Sequence, residues 1–296
     1  MSNIVKMLAF GNTIQGVAVD STQIVARAQE LHRLSPVAAA ALGRTLSAAV
    51  MMASDFKGVN DILTVQIKGD GPLGGILVTA DAACNVKGYV HNPNVDLPPN
   101  NEGKLDVSGA VGINGYLNVI RDIGFSEPYV GNVALVSGEI AEDFTHYYSI
   151  SEQIPSAVAL GVLVDKDGSV KKAGGYMIHL MPGADDKAVQ FVESGVNLFS
   201  SVTSLLEEGQ TPAELLELIF GGANCTVVAE KNGQYHCNCS QERMERNLMT
   251  LGEKDLRELA EDPNGIELSC HFCNRLYRFS QEDTRKILDE TLLKNK

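Results

Sequence analysis

Short apolar runs, several with polar residues at alternate positions, are separated by tight turns through the first 180 or so residues of the chain. A period of two is typical of strands with one buried face. Residues 4–10 and 13–19 flank Gly11-Asn12 and predict a hairpin, and a second hairpin is predicted around the turn at residues 165–168. The strands of the second hairpin cover residues 156–164 and 170–180. The other predicted strands cover residues 61–68, 75–80, 86–90, 116–120 and 130–136.

Two helices are predicted between the first hairpin and the later strands. The first covers residues 21–34, and the second begins at Pro36, where Ser35 can cap the helix and proline fits its first turn. The alanine-rich run over residues 36–53 is apolar enough to resemble a membrane span, but Arg44 interrupts it, so we predict a buried core helix. The fold class predicted for this part is α+β, a largely antiparallel sheet with packed helices.

After residues 181–183 the pattern changes from strands to helices. One helix is predicted over residues 185–208, and a second opens at the capping box that begins with Thr211. The first is rich in valine, serine and threonine, each of which weakens a helix by roughly some tenths of a kcal/mol. Its apolar side must therefore be held by tertiary contacts. Two interpretations remain open, an ordinary packed helix and a metastable linker.

A small cysteine-bearing module is predicted from about residue 231 onward. Its helices are predicted at residues 241–251 and 253–261, its hairpin strands at 266–269 and 276–279, and a closing helix from the capping box at Ser280. We therefore expect three parts: a core domain over residues 1–180, a helical linker over residues 181–230, and a small C-terminal domain over residues 231–296.

Length, cysteine count and charge exclude several classes of protein. The chain has 296 residues, six cysteines and a formal net charge of −13. This length suits two domains, and six cysteines are too few for a disulfide scaffold. The N-terminus shows neither a basic region nor a long hydrophobic segment, so we expect no signal peptide and a reducing, cytoplasmic setting. No part offers the basic face that a phosphate backbone requires, so we expect neither a nucleic acid nor a membrane as partner.

Four cysteines carry the clearest chemical signal in the chain. They form a C-x-C motif at Cys237 and Cys239 and a C-x-x-C motif at Cys270 and Cys273. Four thiolates brought together make a closed tetrahedral zinc site, with no open position for a catalytic water. Oxidation within each near pair would expel the zinc. A zinc used only for folding and a redox switch therefore both remain open.

Other candidate sites are weaker. The G-x-G-x-x-G at residues 69–74 leads into a strand-like run, so it predicts a hairpin turn instead of a dinucleotide site. An acidic cluster with a histidine at residues 139–146 predicts a solvated first helical turn, not acid–base chemistry. His236 and His271 flank the thiols and are predicted to be exposed or supporting residues, not ligands. We therefore do not expect an enzyme.

Around the thiols the chain reads YHCNCSQER at residues 235–243 and CHFCNRLY at residues 270–277. These segments resemble the 33-kilodalton heat-shock chaperonin family, the redox-regulated holdases of the bacterial cytosol. The likeness spans essentially the whole chain, and none of the four thiol positions departs from the family pattern. Further matching stretches are residues 41–44, 103–107, 136–139, 143–145, 151–153, 155–156 and 180–183.

The resemblance implies that all four cysteines hold one Zn²⁺ while the protein is reduced and largely inactive. It further implies that oxidants, with heat or other unfolding stress, form the disulfides Cys237–Cys239 and Cys270–Cys273, release zinc, and unfold the small domain and the linker. The activated protein would dimerise and bind unfolding client proteins without ATP. A structural zinc-ribbon module in translation or transcription is the alternative.

Overall fold

The computed structural model describes residues 2–199, 201–221 and 223–294. The chain divides into two compact units, the first ending at His236 and the second beginning at Cys237. The first unit contains two clusters of buried apolar side chains, and the second unit contains one.

The first unit is built on a ten-stranded sheet. Its strands are β1 (Ser2–Ala9), β2 (Ile14–Asp20), β3 (Ile62–Lys68), β4 (Ile76–Asp81), β5 (Asn85–Val90), β6 (Tyr116–Asp122), β7 (Tyr129–Ala134), β8 (Ser156–Val164), β9 (Val170–Leu180) and β10 (Thr226–Tyr235). Their order is β7-β6-β3-β4-β5-β10-β1-β2-β9-β8. Every pairing is antiparallel except that of β5 with β10. The predicted α+β class and antiparallel sheet are confirmed.

The helices of the first unit are α1 (Thr22–His32), α2 (Pro36–Ala53), α3 (Val107–Val111), α4 (Ala141–Tyr147), a π-helical turn (Tyr148–Glu152), α5 (Asp186–Leu198), α6 (Val202–Glu207) and α7 (Pro212–Ile219). Helix α2 starts as predicted, with Ser35 Oγ accepting a hydrogen bond from the Ala38 N–H. It is long and apolar enough to cross a membrane, but 89% of it is buried inside the fold. It packs against β3, β4, β5, β8 and β9 and is the core helix that the sequence predicts.

The helices α5, α6 and α7 cover the second face of the central strands. Along β1, Ile4 belongs to the cluster around α2, whereas Val5 and Met7 belong to the cluster that contains the buried side chains of α5–α7. This alternation follows from the period of two along a strand. At Gly16 on β2, an added Cβ would lie 2.7 Å from Leu216 Cδ2, so glycine at this position lets α7 lie close to the sheet.

The prediction of a single helix over residues 185–208 is wrong. Helix α5 is capped at its C-terminus by Phe199 (φ −113°, ψ 36°), and α6 begins after Ser201 (φ −87°, ψ 82°). Serine has low helix propensity, and the Ser201 hydroxyl bonds the Ser204 hydroxyl at 2.7 Å without capping α6. The weak helix-forming composition of this segment therefore appears in the structure as a break.

Strand β10 lies across the expected domain boundary at residue 231. It pairs with β1 from Ser2↔Gly233 to Leu8↔Thr226 and meets β5 at Gln234↔Asn85. The compact first unit therefore continues to His236. The strand was not predicted because the adjacent Val227 and Val228 break the alternation of apolar and polar residues that marks a half-buried strand. Both valines are exposed in the structure. The assignment of a separate linker over residues 181–230 stays a prediction.

The second unit matches its predicted elements closely. Its elements are α8 (Gln241–Leu248), α9 (Glu253–Glu261), β11 (Ile266–Ser269), β12 (Leu276–Phe279) and α10 (Gln281–Lys294). Ser240 Oγ caps α8 by accepting from the Arg243 N–H, and Ser280 forms the predicted capping box with Asp283. Helix α8 ends three residues before the predicted 251.

Two buried tyrosines provide a matched test of packing in the first unit. The hydroxyl of Tyr147 donates to the Glu152 carboxylate, whereas the buried hydroxyl of Tyr176 has no partner in the described part of the chain. Since an unpaired buried hydroxyl is costly, we expect Tyr176→Phe to raise the free energy of unfolding by about 1 kcal/mol and Tyr147→Phe to lower it by a similar amount. Urea unfolding of the reduced protein, followed by circular dichroism, measures both. Changes of the same sign would contradict this account.

Candidate metal centre

The β11–β12 hairpin presents Cys270 and Cys273 at its turn. The Cys270 N–H donates to the Arg275 carbonyl at 2.9 Å, and the Cys273 and Asn274 N–H groups donate to the Cys270 carbonyl at 3.2 and 2.7 Å. Asn274 lies in the left-handed region at φ 56°, which asparagine tolerates better than most residues. These bonds fold the C-x-x-C motif into a compact knuckle.

The C-x-C motif lies in the extended segment just before α8. The backbone N–H of Cys239 donates to Cys237 Sγ, and Ser240 then caps the helix. Cys237 and Cys239 are alternate residues of this short segment. Both sulfurs lie near the cysteines of the hairpin, as a shared metal site requires.

The four ligand atoms Cys237 Sγ, Cys239 Sγ, Cys270 Sγ and Cys273 Sγ all lie within 4.8 Å of one another. Sulfurs placed 2.3 Å from a tetrahedral zinc lie about 3.8 Å apart, so one ion fits among them. A donor set of four soft thiolates suits zinc well. Among the described residues His236 and His271 are not part of this group, and both are exposed, as predicted.

Two close sulfur pairs each join one motif to the other. Cys237 Sγ lies 3.6 Å from Cys270 Sγ, and Cys239 Sγ lies 3.3 Å from Cys273 Sγ. All six cysteines of the chain are free. This arrangement suits a shared ion, and the disulfides Cys237–Cys239 and Cys270–Cys273 stay a prediction for the oxidised state.

Three of the thiols, Cys237, Cys239 and Cys273, have different electrostatic surroundings. Burial raises the pKa values of Cys237 and Cys273 above that of an ordinary thiol. Burial acts in the same direction on Cys239, but hydrogen bonds, first among them that from the Tyr277 hydroxyl, outweigh it and lower the pKa of Cys239 to about 7. Of Cys237, Cys239 and Cys273, it is therefore Cys239 that takes up negative charge most readily when no metal is bound.

The weaker candidates behave as structural features, with one correction. Residues 69–74 form the predicted turn between β3 and β4. Asp143, however, is fully buried, which contradicts the predicted solvated helical turn. Its carboxylate accepts hydrogen bonds from the backbone N–H groups of Val136, Ser137, Gly138 and Ile140. It therefore fixes the loop before α4.

The fold and the site together define a two-unit α+β protein with four cysteines grouped closely enough to hold a metal ion. The family model of the Hsp33 protein matches residues 2–280. The 33 kDa chaperonin of Acetivibrio thermocellus is 50% identical over 285 residues and 96% of each chain. That of Ruminiclostridium cellulolyticum is 51% identical over 289 residues and 98% of each chain. The crystal structure of the 33 kDa chaperonin from Thermotoga maritima matches with a TM-score of 0.90 at 36% identity, covering 98% of each chain.

The chain therefore belongs to the Hsp33 family, as the residues around the thiols predict. Its relatives are named chaperonins, which is a non-enzymatic role, and membership supports a chaperone function connected with heat shock.

Ligand removal tests the site directly. Structural zinc contributes about 10–16 kcal/mol of binding free energy, so the loss of one of four ligands is expected to weaken binding on the order of 100-fold. We expect Cys270→Ser to show this loss in chelator competition on the reduced protein. Cys225→Ser, which removes a thiol outside the group, is the control and should bind zinc like the wild type. Equal affinities in the two variants would show that Cys270 is not a ligand.

Proposed function

We propose that this chain is a cytoplasmic, redox-regulated holdase that acts without ATP. It is zinc-bound and inactive when reduced, and after oxidation it dimerises and binds unfolding proteins under oxidative stress. The observation that carries the proposal is the group of four sulfurs within 4.8 Å in a chain of the Hsp33 family.

The second unit depends on its metal for stability. Its buried cluster holds nine of the residues that the structure describes, among them Leu256, Tyr277 and Phe279, which is a small core for a free-standing unit. Zinc, when bound to Cys237, Cys239, Cys270 and Cys273, would supply much of the folding free energy of this unit. Removal of the metal would therefore unfold it.

Peroxide is the class of oxidant that the proposal requires. One thiolate of a pair attacks a peroxide oxygen and the O–O bond breaks, so that a sulfenic acid forms and the departing hydroxide takes up a proton as one water. The second thiolate attacks that sulfur, the S–S bond forms, and the departing hydroxide takes up a proton as a second water. Each pair thus converts two thiolates, one peroxide and two protons into one disulfide and two waters. Disulfide sulfurs are poor ligands, so the site loses its metal.

The linker helices α5–α7 supply surface that could be exposed on activation. Their buried side chains Val192, Leu206 and Leu216 pack on an apolar sheet face that includes Met7 and Ile178. Undocking would expose both surfaces to water, at about 25 cal/mol for each Å² of apolar area. Large exposed apolar patches are the physical requirement for binding unfolding chains.

The docking of α5 is incomplete. A cleft of about 300 Å³ lies between α5 and the ends of β8 and β9, lined in part by Ala157, Ile178, Val189 and Val196. Atoms that face a void lose the dispersion contacts that close packing provides. This cleft and the weak helix propensity of α5 both favour a linker that is stable only while docked. We propose that the folded second unit keeps it docked.

Controlled oxidation tests the complete proposal. We expect peroxide with mild heating to release one zinc per chain, detected with a chromogenic chelator, and to lower hydrogen-exchange protection across α5–α7. Suppression of aggregation of a thermally unfolding client should appear only after zinc release. A chain whose metal is merely structural, as in a zinc ribbon, would lose its fold and gain no such activity.

Linker docking has its own test in two leucines of the same segment. Leu216 on α7 is fully buried, whereas Leu198 on α5 is 76% exposed. Leu216→Ala is expected to lower the free energy of linker opening by about 2–5 kcal/mol. The variant should therefore become active at a lower oxidant concentration and a lower temperature. Leu198→Ala is expected to change it by less than about 0.5 kcal/mol. Hydrogen exchange of the reduced protein measures both. Equal hydrogen-exchange protection in the two variants would contradict the proposed role of linker docking.

A further inference from the structure

Cys237 Sγ, Cys239 Sγ and Cys273 Sγ each receive a hydrogen bond from a donor that is not a thiol. The backbone N–H groups of Cys239 and Arg275 donate to Cys237 Sγ and Cys273 Sγ. The third donor is a side chain, the Tyr277 hydroxyl, which donates to Cys239 Sγ at 3.0 Å. Substitution can therefore remove this third bond and leave the backbone unchanged.

The fold holds Tyr277 in place from two directions. Its position on β12 is opposite Leu268 on β11, and its side chain is buried in the core of the second unit. The exposed Arg275 hydrogen-bonds to the same phenol. Because the guanidinium can only donate, the phenol oxygen accepts from Arg275 and its proton is left to point at the sulfur. The hydroxyl is thus oriented before any metal arrives.

We propose that Tyr277 is a positioning residue of the metal site, which holds Cys239 Sγ in its binding position and protects this sulfur from oxidation. The inference rests on the proposed function, because it concerns how firmly the four thiolates hold a metal and how fast peroxide attacks them.

Two effects follow from a hydrogen bond to a thiolate. The donor stabilises negative charge on the sulfur, which makes the lone pair a weaker nucleophile toward peroxide. The same bond fixes the direction of the side chain, and loss of such supporting partners typically lowers metal affinity by about 10–100-fold. Tyr277 would therefore slow both metal loss and oxidation at one defined sulfur.

The test uses the reduced full-length chain loaded with Co²⁺, whose sulfur-to-metal charge-transfer band reports on the electron density of the thiolates. Tyr277→Phe keeps the ring and removes the hydroxyl. We expect its charge-transfer band at lower energy, its Co²⁺ affinity about tenfold weaker in chelator competition, and its peroxide-driven metal release about fivefold faster. Tyr129→Phe, which removes an exposed hydroxyl bonded to Ser151 in the first unit, is the matched control and should match the wild type.

A second variant separates this role from folding. Arg275→Gln changes an exposed side chain, leaves the core intact and removes the cation that orients the phenol, so a smaller band shift in the same direction is expected. An unchanged band and release rate in Tyr277→Phe, with wild-type metal binding intact, would overturn this inference alone. A wild-type chain that binds neither Co²⁺ nor Zn²⁺ would instead overturn the proposed function itself.

Discussion

Mutual repulsion among the four sulfurs is the constraint on which the second unit depends. The sulfurs lie within 4.8 Å of one another, and two thiolates 4 Å apart repel by about 4 kcal/mol at an effective dielectric constant of 20. Only protonation, a bound cation or conversion to disulfides relieves this repulsion. A cation at the centre favours the compact arrangement, whereas disulfides remove the charge and the ligands together. One set of atoms can therefore serve both a metal site and a switch.

The first unit is governed by a different constraint, because its central strands must be covered on both faces. The long helix α2 covers one face with a nearly continuous apolar surface, and α5–α7 cover the other. The two helical layers differ in how well they are stabilised. Helix α2 is well capped and 89% buried, whereas α5 is rich in β-branched residues and borders an open cleft. A stable layer and a weak layer on one sheet are compatible with a fold that can uncover one face and keep the other.

Much of the fold was accessible from local patterns. The strands of the two predicted hairpins, the start of α2 at Ser35 and the β11–β12 hairpin follow from apolar periodicity and turn or cap residues that act over a few positions. The membership of all four cysteines in one group was also predictable, because the C-x-C and C-x-x-C spacings are typical of metal sites. The hairpins, the cap and each cysteine pair taken singly depend on residues close together in the chain.

The sequence by itself determined most of the element types, the four thiols and the weak helix-forming composition of the linker. Tertiary structure alone decided the features that join distant residues. Strand β10 has no local apolar alternation and exists because β1 offers it backbone hydrogen bonds. Tyr277 meets Cys239, 38 positions away, only because the hairpin folds against the C-x-C segment. Local patterns encode propensity and burial, whereas hydrogen bonds between distant residues depend on geometry that only the folded chain supplies.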